Sequence, residues 1–162
     1  MKSRKIKLTI TGCLGRMGHQ LIKSAKKDRR FKINSITENK IQNKKILGIF
    51  PKLNNAETFK NSDVIIDFSV PKCTLEVLEI AVKESKRVVI GTTGFSQKEE
   101  NIIKKTSKKI PILKAGNMSL GINLLMYLTE ITSKSLTNNY LSKVFEAHHK
   151  FKKKFQYLKP VI

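Results

Sequence analysis

The chain has 162 residues, room for one ordinary domain with a sizeable core and too little for two complete ones. Hydrophobic residues make up 40% of it, in short runs bounded by Gly, Pro, Asn or Lys, so no stretch approaches the ~20 apolar residues of a membrane-spanning helix. A formal charge of +21, from 33 Lys plus Arg against 12 Asp plus Glu, would attract polyanions at low salt, but the lysines are scattered and no stacking aromatics are interleaved, which argues for a solvated surface and against specific nucleic-acid binding.

The basic N-terminus (Lys2, Arg4, Lys5, Lys7) runs into a strand-like Leu8-Thr9-Ile10 and a glycine turn, not into a signal-peptide core, so a cytoplasmic protein is expected. Lys5 to Thr11 is β-branched and alternating and stops at Gly12, a first strand. Arg16 to Lys27 places Met17, Leu21, Ile22 and Ala25 on one helical stripe. Phe31 to Thr37 is a second strand, ending at Glu38, and the polar segment from Asn39 to Thr58, with Gly48 and Pro51, reads as a surface connection. Ser62 to Phe68 has the length and apolarity of a buried parallel strand. Pro71 then opens a helix that carries Leu75, Leu78, Ala81 and Val82 inward. Arg87 to Ile90 is another buried strand, followed by Gly91-Thr92-Thr93-Gly94-Phe95 and by Ser96 and Glu99, spaced as a capping box. Ile110 to Lys114 gives a fifth strand, Ser119 to about Ser135 a long helix, and Ser142 to His148 a sixth strand. Strand and helix alternate throughout, so the expected fold is α/β, a parallel sheet with crossover helices on both faces. Cys13 falls in the glycine turn and Cys73 at a helix start. Neither belongs to a CxxC pair, and both are read as reduced, space-filling thiols, although a helix start can lower a thiol pKa.

In such a sheet ligands bind beyond the carboxyl ends of the strands, where the strand order reverses. Gly12, Gly15 and Gly18 form a GxxGxxG turn between strand and helix, with Arg16 and Met17 inside it. Glycine there lets a pyrophosphate reach the backbone N–H groups at the helix N-terminus. Glu38 ends the next strand about 20 residues after Gly18, where an acid accepts the ribose hydroxyls of a dinucleotide. A carboxylate there favours NAD by repelling a 2′-phosphate, while Asn39, Lys40 and Arg16 leave NADP open. His148 and His149 end the last strand. Alternation places His148, Lys150 and Lys152 on one face, a grouping suited to an anionic substrate that must be protonated. No third and fourth ligand lie at useful spacing, so no metal site is expected.

Taken together, these motifs closely resemble the 4-hydroxy-tetrahydrodipicolinate reductase (dihydrodipicolinate reductase) family, over about Lys5 to Lys153. The marks are Gly12 to Gly18, Ile66-Asp67-Phe68-Ser69 with Pro71, Gly91 to Phe95, Ala115-Gly116-Asn117-Met118-Ser119 with Gly121 and Asn123, and Glu146-Ala147-His148-His149. The resemblance implies a Rossmann-type dinucleotide-binding domain over residues 1–120, the start of a second, incomplete α+β substrate domain over 121–153, and a divergent tail over 154–162. It implies hydride transfer from NADH or NADPH to an unsaturated heterocyclic dicarboxylate in lysine and diaminopimelate biosynthesis. Gly12, Gly15, Arg16, Met17, Gly18 and Glu38 would hold the adenosine half of the cofactor. Gly91, Thr92, Thr93, Ala115, Gly116, Asn117 and Met118 would hold the nicotinamide end. His148 resembles the family's proton donor, His149 its neighbour in the substrate site, and Lys152 the lysine that pairs with a substrate carboxylate.

After Lys153 the family continues with Asp-Ala-Pro-Ser-Gly-Thr, whereas this chain reads Lys154-Phe155-Gln156-Tyr157-Leu158-Lys159-Pro160-Val161-Ile162. The expectation is a C-terminally truncated reductase, by frameshift or gene truncation, that binds nucleotide more readily than it turns over. The alternative is an inactive nucleotide-binding remnant or a half-enzyme needing a C-terminal partner. The family's homo-oligomer is built by the second domain, so this chain is not expected to keep it.

Overall fold

The computed structural model describes residues 4–40, 43–136 and 140. The chain divides into two compact units, Met1–Ser119 and Leu120–Ile162.

The first unit is a six-stranded, wholly parallel sheet. Strand β1 (Ile6–Thr11) leads into α1 (Arg16–Lys27) and β2 (Phe31–Glu38), and β3 (Lys52–Leu53) and α2 (Ala56–Lys60) follow. Next come β4 (Val64–Asp67), α3 (Pro71–Lys83), β5 (Arg87–Ile90), α4 (Gln97–Thr106) and β6 (Ile112–Lys114). The strand order is β3-β2-β1-β4-β5-β6. The chain therefore winds outward from β1 to β3, returns to the middle, and winds outward the other way from β4 to β6. This is the doubly wound Rossmann-like arrangement, with its reversal between β1 and β4.

Right-handed crossovers in opposite winding directions put helices on opposite faces, and the core divides accordingly. Ile22 and Ala25 of α1 pack with Leu8, Ile10 and Ile36, while Val77, Leu78 and Ala81 of α3 and Ile103 of α4 pack with Ile65, Val88 and Ile90. Period-two alternation along β1 sends Leu8 and Ile10 to the α1 side and the equally buried Thr9 and Thr11 to the other. Thr9 Oγ1 lies 2.6 Å from Ser35 Oγ and 2.5 Å from Ser62 Oγ, so the polar side of β1 is hydrogen-bonded inside the core. The box at the start of α4 is present: the Glu99 carboxylate accepts the Ser96 N–H at 2.7 Å and the Ser96 hydroxyl accepts the Glu99 N–H at 3.4 Å.

Several expectations need correction. Met17 is exposed and Leu21 only half-buried, because the inward face of α1 runs through Gly18, Ile22 and Ala25, about 100° of helix turn away from Met17. On α3 the inward face is Cys73, Thr74, Val77, Leu78 and Ala81, so Leu75 and Val82 are only half-buried. The segment from Asn39 to Thr58 contains β3, the start of α2 capped by Asn55, and the buried Ile46, and the fully buried Phe59 follows it. The expected strand Ser142–His148 lies outside the described residues.

The described part of the second unit is α5 (Leu120–Ser135) with Leu136 and Tyr140, and within α5 the hydroxyls of Thr129, Thr132 and Ser135 donate to carbonyls four residues back. None of its residues is buried, and Leu124, Leu125, Tyr127 and Leu128 are exposed. Among the described residues no helix is long and apolar enough to cross a membrane.

Candidate functional site

The strand order reverses between β1 and β4, the place where open parallel sheets form a ligand crevice, and the glycine turn follows the carboxyl end of β1 there. Gly12 has φ +68°, and an added Cβ would crowd the backbone of Phe68 and Ser69, so the β1 end can approach the β4 end only with glycine there. Gly18 meets the same restriction from the helix side, since a Cβ would sit 2.7 Å from the Cα of Cys13. Gly15 differs. It is the exposed N-cap of α1 in an extended conformation, and its nearest neighbour to an added Cβ is 3.3 Å away. The fold requires the two outer glycines; the middle one leaves backbone open to a ligand.

Gly15 supplies no side-chain cap to α1, and the first turn carries no acidic residue. The contrast with α4 and its complete capping box is chemical: the N-terminus of α1 keeps its positive dipole end facing solvent, where an anion can meet it. Arg16 and Met17 are exposed on that first turn. Glu38, half-buried at the end of β2, accepts the Leu14 N–H at 3.3 Å and the Asn39 N–H at 3.2 Å, so its carboxylate borders the turn.

On the other side of the crevice, the Gly91 N–H donates to the Asp67 carbonyl at 2.9 Å and the Ala115 N–H to the Ile90 carbonyl at 3.1 Å. These bonds extend the ladder beyond the strands and align the segments after β4, β5 and β6 along one edge. The Phe68 ring covers Gly91 so closely that a Cβ would lie 2.6 Å from its farther ε carbon and closer still to the nearer ε carbon and to Cζ. Thr92 is buried and Thr93 exposed, and Gly94 turns the chain with φ +88°. Gly116 has nothing within 4 Å of an added Cβ, Met118 is exposed, and the Asn117 side chain accepts the Ser119 N–H at 2.8 Å.

Thus Gly12, Gly15, Arg16, Met17, Gly18, Glu38, Gly91, Thr92, Thr93 and Ala115 to Met118 all fall at the carboxyl edge of one sheet. His148, His149 and Lys152 lie outside the described residues. Neither cysteine is activated: burial, followed by the charge of Glu38, pushes the Cys13 thiol up to about 11, and burial also raises that of Cys73. Among the described residues no group of His, Cys, Asp and Glu could hold a metal ion.

One buried group was not singled out as a site residue in the sequence. Asp67, the last residue of β4, is wholly buried and accepts hydrogen bonds from four hydroxyls, those of Thr11, Ser69, Thr74 and Thr92. The available signal was an acid inside the apolar run Val64 to Phe68.

Residues 6–118 match the family model described as dihydrodipicolinate reductase, N-terminus. Over 94% of its length the chain is 68% identical to a 4-hydroxy-tetrahydrodipicolinate reductase of Pelagibacter ubique (strain HTCC1062), and over 91% it is 38% identical to one of Buchnera aphidicola subsp. Cinara cedri. In both cases it spans 59% of the relative's length. Among solved structures it is similar to a dipicolinate-bound dihydrodipicolinate reductase of Paenisporosarcina sp. TG-14, with TM-score 0.65 and 21% identity over 80% of this chain and 54% of that one. A Rex-family repressor, RSP, shares the fold at TM-score 0.53 with 10% identity over 82% of this chain and 61% of that one. Such distant likenesses speak to fold alone.

Proposed function

The chain belongs to the dihydrodipicolinate reductase family, and from that premise we propose that it takes part in hydride transfer from NADH or NADPH to an anionic heterocyclic dicarboxylate, in lysine and diaminopimelate biosynthesis. The observation that carries the reading is the pairing, at the strand reversal, of a helix N-terminus without a side-chain cap and a half-buried carboxylate that accepts a backbone N–H of the glycine turn.

The residues present fit such a cofactor. Gly15 and the first turn of α1, including Arg16 and Met17, would meet the pyrophosphate through backbone N–H groups and the helix dipole. Glu38 would accept the adenosine ribose hydroxyls, which favours NADH over NADPH because a carboxylate repels a 2′-phosphate. Gly91 to Thr93 and Ala115 to Met118 would hold the nicotinamide end by backbone groups. When bound, the nicotinamide supplies the hydride. His148 would give the proton, His149 would line the substrate site and Lys152 would pair with a substrate carboxylate, on the strength of the motif match alone.

Titrating NADH and NADPH into the purified chain, followed by nicotinamide fluorescence, tests the first half of the reading. Saturable binding, tighter for NADH, is expected; no saturable signal with either nucleotide would refute it. Oxidation of NADH on adding the dihydrodipicolinate-type substrate tests the second half.

A further inference from the structure

The Asp67 carboxylate sits in the last layer of the sheet, at the strand reversal, register-paired with Thr11 on one side and Ile90 on the other. Its Oδ1 accepts the hydroxyls of Thr11 and, at 2.6 Å, Ser69. Its Oδ2 accepts those of Thr74 at 2.5 Å and Thr92 at 2.8 Å. The four donors come from four segments: the residue before the glycine turn, the turn after β4, the first turns of α3, and the segment after β5. Two acceptor sites on each oxygen are thereby filled, which is what a carboxylate needs if it is to remain in the interior.

Thr92 is the link outward. Its hydroxyl donates to Asp67 and accepts the Ser69 N–H at 2.8 Å, so its rotamer and the neighbouring backbone are fixed from two sides. Gly91 is tied to the same residue through the Asp67 carbonyl. The buried Thr9, Ser35 and Ser62 hydroxyls form a comparable cluster further back in the sheet, away from the crevice, and give an internal control for mere core stability.

We propose that Asp67 is a positioning residue for the nicotinamide half of the cofactor: through Thr92 it sets the placement of the Gly91–Gly94 backbone relative to the glycine turn. The inference rests on the functional reading above. It assigns Asp67 no contact with the cofactor and no proton to transfer.

The test compares dissociation constants for NADH and for ADP-ribose, which lacks the nicotinamide, in the full chain and in Asp67→Asn, Thr92→Val, Thr92→Ser and Ser35→Ala. Asp67→Asn and Thr92→Val are expected to weaken NADH roughly tenfold, the scale of one lost hydrogen bond to a charged group, while ADP-ribose changes less than about twofold. Thr92→Ser keeps the hydroxyl and is expected to restore NADH binding. Ser35→Ala is expected to lower the melting temperature and leave both ligands unchanged. Should Asp67→Asn fail to fold, Thr92→Val decides. Equal losses for NADH and ADP-ribose, an unchanged NADH affinity in Thr92→Val, or the same selective loss in Ser35→Ala would each overturn the assignment while leaving the functional reading intact. A wild-type chain that binds neither ligand would overturn both.

Discussion

Replacing Gly18 by alanine puts a methyl group 2.7 Å from the Cα of Cys13 and 3.0 Å from the carbonyl carbon of Gly12, and closer still to that carbonyl's oxygen. All of these are backbone atoms, so no side chain can swing away and the glycine turn itself must lift off α1. Overpacking costs about 1–3 kcal/mol, and a clash with backbone belongs at the upper end. Against it, alanine gains about 1 kcal/mol over glycine in a helix. The net loss is about 2 kcal/mol, or about 4–8 °C in melting temperature for a chain of this size. Gly15→Ala is the comparison: φ −72° and ψ 160° suit any residue, its one neighbour is 3.3 Å away, and the cost is about 0.5–1 kcal/mol of N-cap preference. Thermal melts by circular dichroism on both variants, with NADH titrations on the folded fractions, separate the two roles. Gly18→Ala should melt well below Gly15→Ala, whereas Gly15→Ala should lose NADH affinity out of proportion to its stability. A Gly18→Ala protein that melts within about 2 °C of wild type would refute the reasoning, because a loss of about 2 kcal/mol lowers the midpoint by at least about 4 °C.

Ser96→Ala removes one arm of the α4 capping box and should cost about 1 kcal/mol in urea unfolding, with NADH affinity unchanged. Asp63 accepts the Lys7 N–H at 2.8 Å and lies beside Arg4, and the first of these chiefly holds its carboxyl below the ordinary 3.8. Its contribution is present above that value and lost as pH falls through the depressed folded one, so Asp63→Asn should flatten the acid limb of the stability profile. Cys13 holds its proton up to about 11, which predicts slow iodoacetamide labelling of the folded chain at mildly alkaline pH and rapid labelling in urea. The same shift predicts declining stability as pH rises from 9.0 toward about 11. His148→Gln should depress turnover far more than NADH affinity; equal loss of both would mark a structural histidine.

The sheet was legible where burial and periodicity coincide. Leu8 and Ile10, Val64 to Ile66 and Arg87 to Ile90 announce β1, β4 and β5 because parallel strands covered on both faces need apolar or β-branched residues. β3 has two residues, Lys52 and Leu53, both exposed, too short to carry any period. It forms because β2 offers it a partner at Thr37 and Glu38. α2, five residues long, was hidden inside a segment read as a surface connection; its cap is Asn55, whose side chain accepts the Thr58 N–H at 2.8 Å. At the site, the spacing of Gly12, Gly15 and Gly18 was visible, but not that Gly12 and Gly18 are held against backbone below 3 Å while the exposed Gly15 has a single neighbour at 3.3 Å. That division depends on Phe68 and Ser69 arriving at Gly12 from β4 and on the turn folding the backbone of Gly12 and Cys13 back onto Gly18. Asp67 stood inside a recognised motif without a role, since its donors Thr11 and Thr92 are 56 and 25 residues away.

Among the described residues the sheet ends in two residues at β3 and three at β6, so its outer strands are far shorter than the five or six of an ordinary strand. A second chain arriving at either margin would find only a few unpaired backbone groups to template on, with Lys52 or Lys114 standing beside them. Strand addition between copies is therefore starved of its first contacts. Concentrated, low-salt solutions should reveal this as resistance to fibrous aggregation, a form of colloidal protection that comes from brevity at the margins as much as from the net charge of +21.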